Sequence, residues 1–122
     1  MKYRNHKDII INKKSLEYWL KKHNEYLNGT NKKRANFKNA DLSYVDLSGL
    51  DLKGVSFENA DLTGANLSNC NLVGCNFNGA DCTNVDFSNS DLSNADTIGT
   101  KLLGVCLTGI KRRWTSKKEY TF

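Results

Sequence analysis

The sequence predicts an all-β solenoid, a chain wound into a four-sided coil, and three observations carry that expectation. From Ala35 to Gly109 a five-residue unit repeats fifteen times without interruption, and self-similarity at a fixed period marks an architecture of stacked units. The third slot of the unit is apolar throughout, Thr97 excepted. The fifth slot is Gly or Asn in every unit but the one holding Tyr44.

Each slot asks for a particular backbone. The first slot is small or aliphatic, as at Ala35, Val45, Cys70, Ser90 and Val105, and with the third it forms a short extended run of period two with one buried face. The second slot is Asp or Asn except at Ser56, Lys101 and Cys106, and it faces outward. The fifth slot takes eight of the nine glycines. Gly and Asn tolerate the positive φ that the third residue of a type II turn requires. Each unit is therefore a very short strand and a corner. If four corners close one turn, residues twenty apart stack, and Phe37, Phe57 and Phe77 then fall into a single inward column. Its neighbours read Leu42, Leu62, Cys82, Leu102, then Leu47, Leu67, Phe87, Leu107, then Leu52, Leu72, Leu92. A turn of fifteen or twenty-five residues would break the phenylalanine column.

On these residues the chain resembles the pentapeptide repeat family, whose consensus is A(D/N)LXX, over about three-fifths of its length. The resemblance implies a right-handed quadrilateral β-helix, here of just under four coils, with the hand supplied by the family. Members with an amphipathic helix before the first coil are similar to this chain at Trp19-Leu20, Gly29 and Arg34-Ala35-Asn36-Phe37. Three regions follow: a basic N-terminal segment with a capping helix (1–34), the β-helix (35–109) and a basic, aromatic C-terminal tail (110–122).

In the first region, Ile9-Ile10-Ile11 suggests a strand that pairs with the first coil or with a partner. Leu16, Trp19, Leu20, His23 and Leu27 share one helical face, Ser15 is placed to cap its start, and Gly29 ends it. Open β-helix ends expose both core and sheet edge, so this helix is expected to cover one of them. His23 on that face reads as a packed or rim residue, because only His6 could join it as a ligand.

At the other end, Arg112 occupies a slot that should point inward, so the coil is expected to stop there. Ile98 and Leu103 occupy outward slots that elsewhere hold mostly Ser, Thr or Lys, and clustered surface apolar residues mark a contact. Either the tail folds back so that Trp114, Tyr120 and Phe122 cover them, or a second subunit does. By analogy with dimers in the family, a symmetric homodimer through this end is the expectation.

Charge divides by region. Residues 1–34 carry ten basic and three acidic residues, net +7; the coils carry three and nine, net −6; the tail carries five and one, net +4. Asp41, Asp61 and Asp81 would stack as an acidic column about 4.8 Å apart. Asx side chains of this kind bond turn N–H groups, which is the reading we prefer; the functional alternative is an acidic face that imitates nucleic acid. Quinolone-resistance members of the family resemble duplex DNA and bind type II topoisomerases. Here the shaft would span only ~18 Å, about five base-pair steps, and the basic ends oppose the mimicry. Lys32-Lys33-Arg34 and Lys111-Arg112-Arg113-Trp114 could meet phosphates, but short basic runs are usually solvated surface and neither sits in a known nucleic-acid motif, so nucleic acid is disfavoured as a partner.

No glycine-rich phosphate loop, HExxH or nucleophile with a spaced histidine occurs, so no enzymatic activity, catalytic residue or cofactor is expected. Cys70, Cys75 and Cys82 fall in inward slots and read as small buried hydrophobes, with no CxxC spacing for a metal; Cys106 alone faces out. No apolar run approaches the roughly 20 residues that cross a bilayer. The expectation is a cytoplasmic structural or protein-binding module whose protein partner the sequence does not name.

Overall fold

The structure, a computed structural model, describes residues 2–113. Parallel bridges join residues twenty apart along the repeat: Asn36 to Ser56 to Asn76 to Asp96 on one side, Asp46 to Asn66 to Asp86 to Cys106 on another. Four five-residue sides thus make one turn. All fifteen fifth-slot residues have positive φ, from 55° at Tyr44 to 75° at Gly49. The corner is commonly closed by the first-slot N–H donating to the third-slot carbonyl, as Ala60 N does to Phe57 O at 2.9 Å. Between coils, a third-slot N–H donates to the second-slot carbonyl of the next coil (Phe57 N to Asn76 O, 2.7 Å), and a fifth-slot N–H to its fourth-slot carbonyl (Asn59 N to Asn78 O, 2.9 Å).

Close approach between stacked corners explains why four of the fifth-slot positions are glycine. The Asn59 side-chain oxygen lies where a Cβ on Gly79 would stand, and Asn84 and Asn89 do the same to Gly104 and Gly109. The Tyr44 ring covers Gly64, whose added Cβ would sit 2.5 Å from ring Cε1. At these four corners a side chain from the coil before fills the space of a Cβ, whereas Asn39 with Asn59 and Asn69 with Asn89 stack with both side chains in place.

First- and third-slot side chains fill the interior. The rings of Phe37 and Phe57 lie 5.8 Å apart, and those of Phe57 and Phe77 lie 5.1 Å apart and only 7° from parallel. Phe87 comes from the opposite wall and meets Phe77 edge-on at 5.6 Å. Thr97, the polar exception in the third slot, is buried with them. Buried first-slot hydroxyls and thiols reach back to third-slot carbonyls of the preceding coil, as Cys70 Sγ does to Leu47 O and Cys75 Sγ to Leu52 O, both at 3.0 Å. Ser90 goes further: its hydroxyl donates to Leu67 O and accepts from Cys70 N, inserting itself into the corner between them.

Before the repeat, β1 (Ile10–Ile11) pairs antiparallel with β2 (Lys14–Ser15) through Asn12 and Lys13, whose φ of 49° and 69° suit a two-residue hairpin turn. The isoleucine run thus pairs within its own hairpin, because that turn folds it back locally. It is Arg4 that bridges to the first coil, at Val45. Helix α1 (Leu16–Leu27) begins at Ser15, whose hydroxyl accepts from Tyr18 N, and ends before Gly29 at φ 81°. Leu16 and His23 are buried, and Trp19 and Leu20 pack partly buried against the core that continues into Phe37. At the far end the ladder runs past Gly109: Leu92 N donates to Lys111 O and Asn94 N to Arg113 O, both at 2.8 Å. A backbone ladder needs no particular side chain, so exposed Arg112 does not interrupt it.

Candidate interaction surfaces

The acidic column is built by the second slot. Asp41 bridges to Asp61, Asp61 to Asp81, and Asp81 to Lys101. Each carboxylate closes a local turn: Oδ1 accepts from Ser43 N at 3.1 Å, from Thr63 N at 3.0 Å and from Thr83 N at 3.0 Å respectively. The hydroxyl of Ser43 at 2.7 Å is the main cause that holds the Asp41 carboxyl below the usual range, and Thr83 at 2.6 Å does the same for Asp81. The column is bracketed by cations, since Arg4 pairs with Asp41 at 3.2 Å and Lys101 follows Asp81.

The sequence does not point to Arg4, and it suggests His6 only as a companion ligand for His23; no periodicity marks either. Arg4 Nη1 donates to Ser43 O at 2.9 Å, and His6 Nε2 bonds Asp46 O. Those are a fourth-slot and a second-slot carbonyl, the groups that in later coils accept from the coil before. Two side chains thus replace part of a missing coil. His23 acts similarly, its Nδ1 accepting from Ala35 N at 3.1 Å at the entry to the first coil. Burial lowers its pKa, opposed by the Asp51 charge and assisted by Arg34. Its Nε2 is buried without a hydrogen-bond partner.

At the C-terminal end, Ile98 is 64% and Leu103 79% exposed, on successive sides of the coil. Their carbonyls are held in the ladder by Gly79 N and Asn84 N. Leu102, Val105, Leu107 and Ile110, inward by slot, are only partly buried. Trp114, Tyr120 and Phe122 lie outside the described residues, so of the five residues named for this end the structure places Ile98 and Leu103. Cys70, Cys75 and Cys82 are buried free thiols, with burial raising Cys75 and Cys82 to about 12, while Cys106 is exposed. Among the described residues, no group of three or more His, Cys, Asp or Glu is placed to hold a metal ion, and no helix is long and apolar enough to cross a membrane.

A family model described as pentapeptide repeats (8 copies) matches residues 26–59, 33–69, 43–79, 56–94 and 75–111, well over half of the chain. The chain belongs to the pentapeptide repeat family. Proteins of this family fold as right-handed quadrilateral β-helices and are generally structural or interaction modules. Among solved structures the chain is similar to a pentapeptide repeat protein from the Arabidopsis thaliana thylakoid lumen, with 34% identity over 62% of this chain and 56% of that one and a TM-score of 0.45. It is similar also to HetL, involved in heterocyst differentiation regulation in the cyanobacterium Nostoc sp. strain PCC 7120, with 26% identity over 64% and 40% of the two chains and a TM-score of 0.47. The plasmid-mediated fluoroquinolone resistance protein QnrB1 shares 17% identity over 64% and 48%, with a TM-score of 0.34. This chain spans about half the length of these proteins. None of the curated proteins compared is significantly similar to it.

Proposed function

We infer that this pentapeptide repeat protein is a non-enzymatic protein-interaction module of just under four coils, capped by α1 at its N-terminal end and joined to a second copy of itself through the other, in the cytoplasm. The observation that carries the reading is the exposure of Ile98 and Leu103 in outward slots, beside a last turn whose inward residues are only partly buried. A large apolar pair at one end of an otherwise polar shaft is a contact surface. The cap reading is supported by Arg4, His6 and His23, which occupy backbone groups that a preceding coil would otherwise take.

The alternative, an acidic mimic of duplex nucleic acid acting on a type II topoisomerase, has weaker support. Asp41, Asp61 and Asp81 are occupied as turn acceptors, and Arg4 and Lys101 stand at the two ends of their column. A supercoiling assay with gyrase is expected to show no effect of the protein. For the dimer, sedimentation equilibrium of the full chain is expected to give twice the protomer mass, and Leu103→Lys to give the protomer mass with an unchanged circular dichroism spectrum. A wild-type chain that sediments as a monomer at high micromolar concentration would overturn this reading.

A further inference from the structure

Two clefts at the N-terminal end share one wall, and that wall includes the basic run. One cleft, about 370 Å³, lies between α1 and the entry to the first coil and takes Tyr18, Trp19, Lys22, Lys33 and Arg34 among its walls. The other, about 450 Å³, contains Tyr26, Lys32, Lys33, Arg34 and Ser56. Lys33 and Arg34 face both. The order across the surface is aromatic, cation, aromatic: Tyr18 and Trp19 in one lobe, the Lys33-Arg34 ridge, then Tyr26 in the other.

The ridge is held in place. Asn31 Nδ2 donates to Lys22 O at 3.2 Å and to Lys33 O at 3.0 Å, tying the basic run to α1. Immediately after it, Ala35 N donates to the buried His23. The Arg34 guanidinium lies against the Gly54 corner, where an added Cβ would stand 3.3 Å from Nη1. Trp19 is fixed by the bond from its Nε1 to Ile11 O at 2.7 Å. Among the described residues, the ion pairs are Arg4 with Asp41, Lys22 with Glu25 and Lys38 with Glu58, and none involves Lys32, Lys33 or Arg34. A preorganised ridge of cations free of carboxylates is a site for an anion, and an aromatic in each flanking lobe selects an anion that carries flat rings on both sides.

We propose that this double cleft binds a short single-stranded nucleic acid, with a phosphodiester on the Lys33-Arg34 ridge and the bases on either side of it in the two lobes. The lobes are of a size that holds small organic groups. The net −6 of the coils beside the site repels a long polyanion, so the footprint is confined to a few nucleotides at this end. The shared chemistry of phosphate and ring distinguishes this ligand from a bare polyanion and from an acidic peptide.

The test uses the full chain carrying Trp114→Phe, so that Trp19 is the sole indole reporter, titrated with a fluorescein-labelled twelve-residue oligothymidylate at low salt. The expected result is saturable binding with Trp19 quenching and an affinity that falls steeply with salt. Lys33→Gln with Arg34→Gln should lower the slope of log affinity against log salt by about 0.7, the share of the one phosphodiester that the ridge neutralises on a single strand. Tyr26→Leu should weaken binding about tenfold, within the range for loss of one stacked base. Inorganic polyphosphate of matched charge should bind more weakly and leave Trp19 emission unchanged. No binding at low salt, polyphosphate binding as tightly as the oligonucleotide, or loss of binding on neutralising Lys111, Arg112 and Arg113 but not Lys33 and Arg34 would each overturn the proposal.

Discussion

Replacing Phe57 by Ala tests the closed square most directly. Its side chain is fully buried between two other rings, 5.8 Å from Phe37 and 5.1 Å from Phe77, and the stack is the axis of the interior. Truncating a buried Phe to Ala costs about 3–5 kcal/mol, the cavity term included. The two ring contacts, at roughly 0.5–1.5 kcal/mol each beyond area burial, place Phe57 at the upper part of that range. A chain of 122 residues has a folding stability on the order of 6–18 kcal/mol at ~0.05–0.15 kcal/mol per residue. One side chain therefore removes a quarter or more of a mid-range total. With an unfolding entropy of about 2.1 cal/mol/K per residue, a loss of ~4 kcal/mol lowers Tm by about 15 °C. A solenoid has only neighbour-to-neighbour contacts, so no other part of the molecule compensates for a breach in the middle of the stack. Phe57→Leu should cost far less, about 1 kcal/mol, because Leu is the residue this slot holds most often. Urea titration and thermal melting followed by far-ultraviolet circular dichroism measure both variants. A loss below about 1.5 kcal/mol for Phe57→Ala, or equal losses for the two substitutions, would refute the picture of a ring column confined by four walls.

Two further outcomes follow from the corners and from the buried histidine of α1. Gly64→Ala puts a Cβ at φ 68° and 2.5 Å from the Tyr44 ring, so it should destabilise by about 2–3 kcal/mol, of which roughly 1–2 is left-handed backbone strain; in a Tyr44→Ala background only the strain should remain, and an undiminished loss in the urea-melt cycle would remove the ring from the explanation. His23 has its pKa lowered by burial, so between its folded value and the unfolded value near 6.5 the unfolded chain binds a proton that the folded chain does not. The His23 contribution is therefore fully present above pH ~6.5 and is lost as pH falls below it, at up to about 1.4 kcal/mol per pH unit. Urea midpoints between pH 7.5 and 5 should show that slope in the wild type and a reduced one in His23→Asn; identical slopes would mean that His23 is not the group responsible.

The repeat was legible because every slot imposes one demand on one residue. Inward column, corner and Asx turn each leave a mark at fixed spacing, and twenty-residue stacking can be read from three phenylalanines. Features that depend on two stacked residues were less visible: the exclusion of a side chain at Gly79 by Asn59, or the insertion of Ser90 into the corner between Leu67 and Cys70, involves positions in different coils and no periodic signal. The N-terminal end was the least legible. Arg4 and His6 bond carbonyls of the first coil from a segment without any repeat, and the aromatic clefts arise from α1 residues outside its apolar stripe, Tyr18, Lys22 and Tyr26, meeting the loop that carries Lys33 and Arg34. The isoleucine run misled because a short β-branched run suggests a strand but not its partner; the Asn12-Lys13 turn decides that.

A β-helix satisfies its own backbone everywhere except at its two ends, and the sequence spends its departures from the repeat there. Along the shaft, the second-slot carboxylates and amides from Asn36 to Asp91 each commit Oδ1 to the N–H two residues on, which ties the acidic face to its own turns. At the N-terminal end the roles reverse: the orphan acceptors Ser43 O and Asp46 O require donors, and the donors supplied are Arg4 and His6. Carbonyls exposed at a coil edge therefore favour cations around them, and the net +7 of residues 1–34 gathers where the ladder runs out of N–H groups. Arg4 and His6 answer that need directly, whereas Lys32, Lys33 and Arg34 have no ion-pair partner among the described residues. That surplus is why the end of the coil, and not its acidic wall, is the place to look for an anionic ligand.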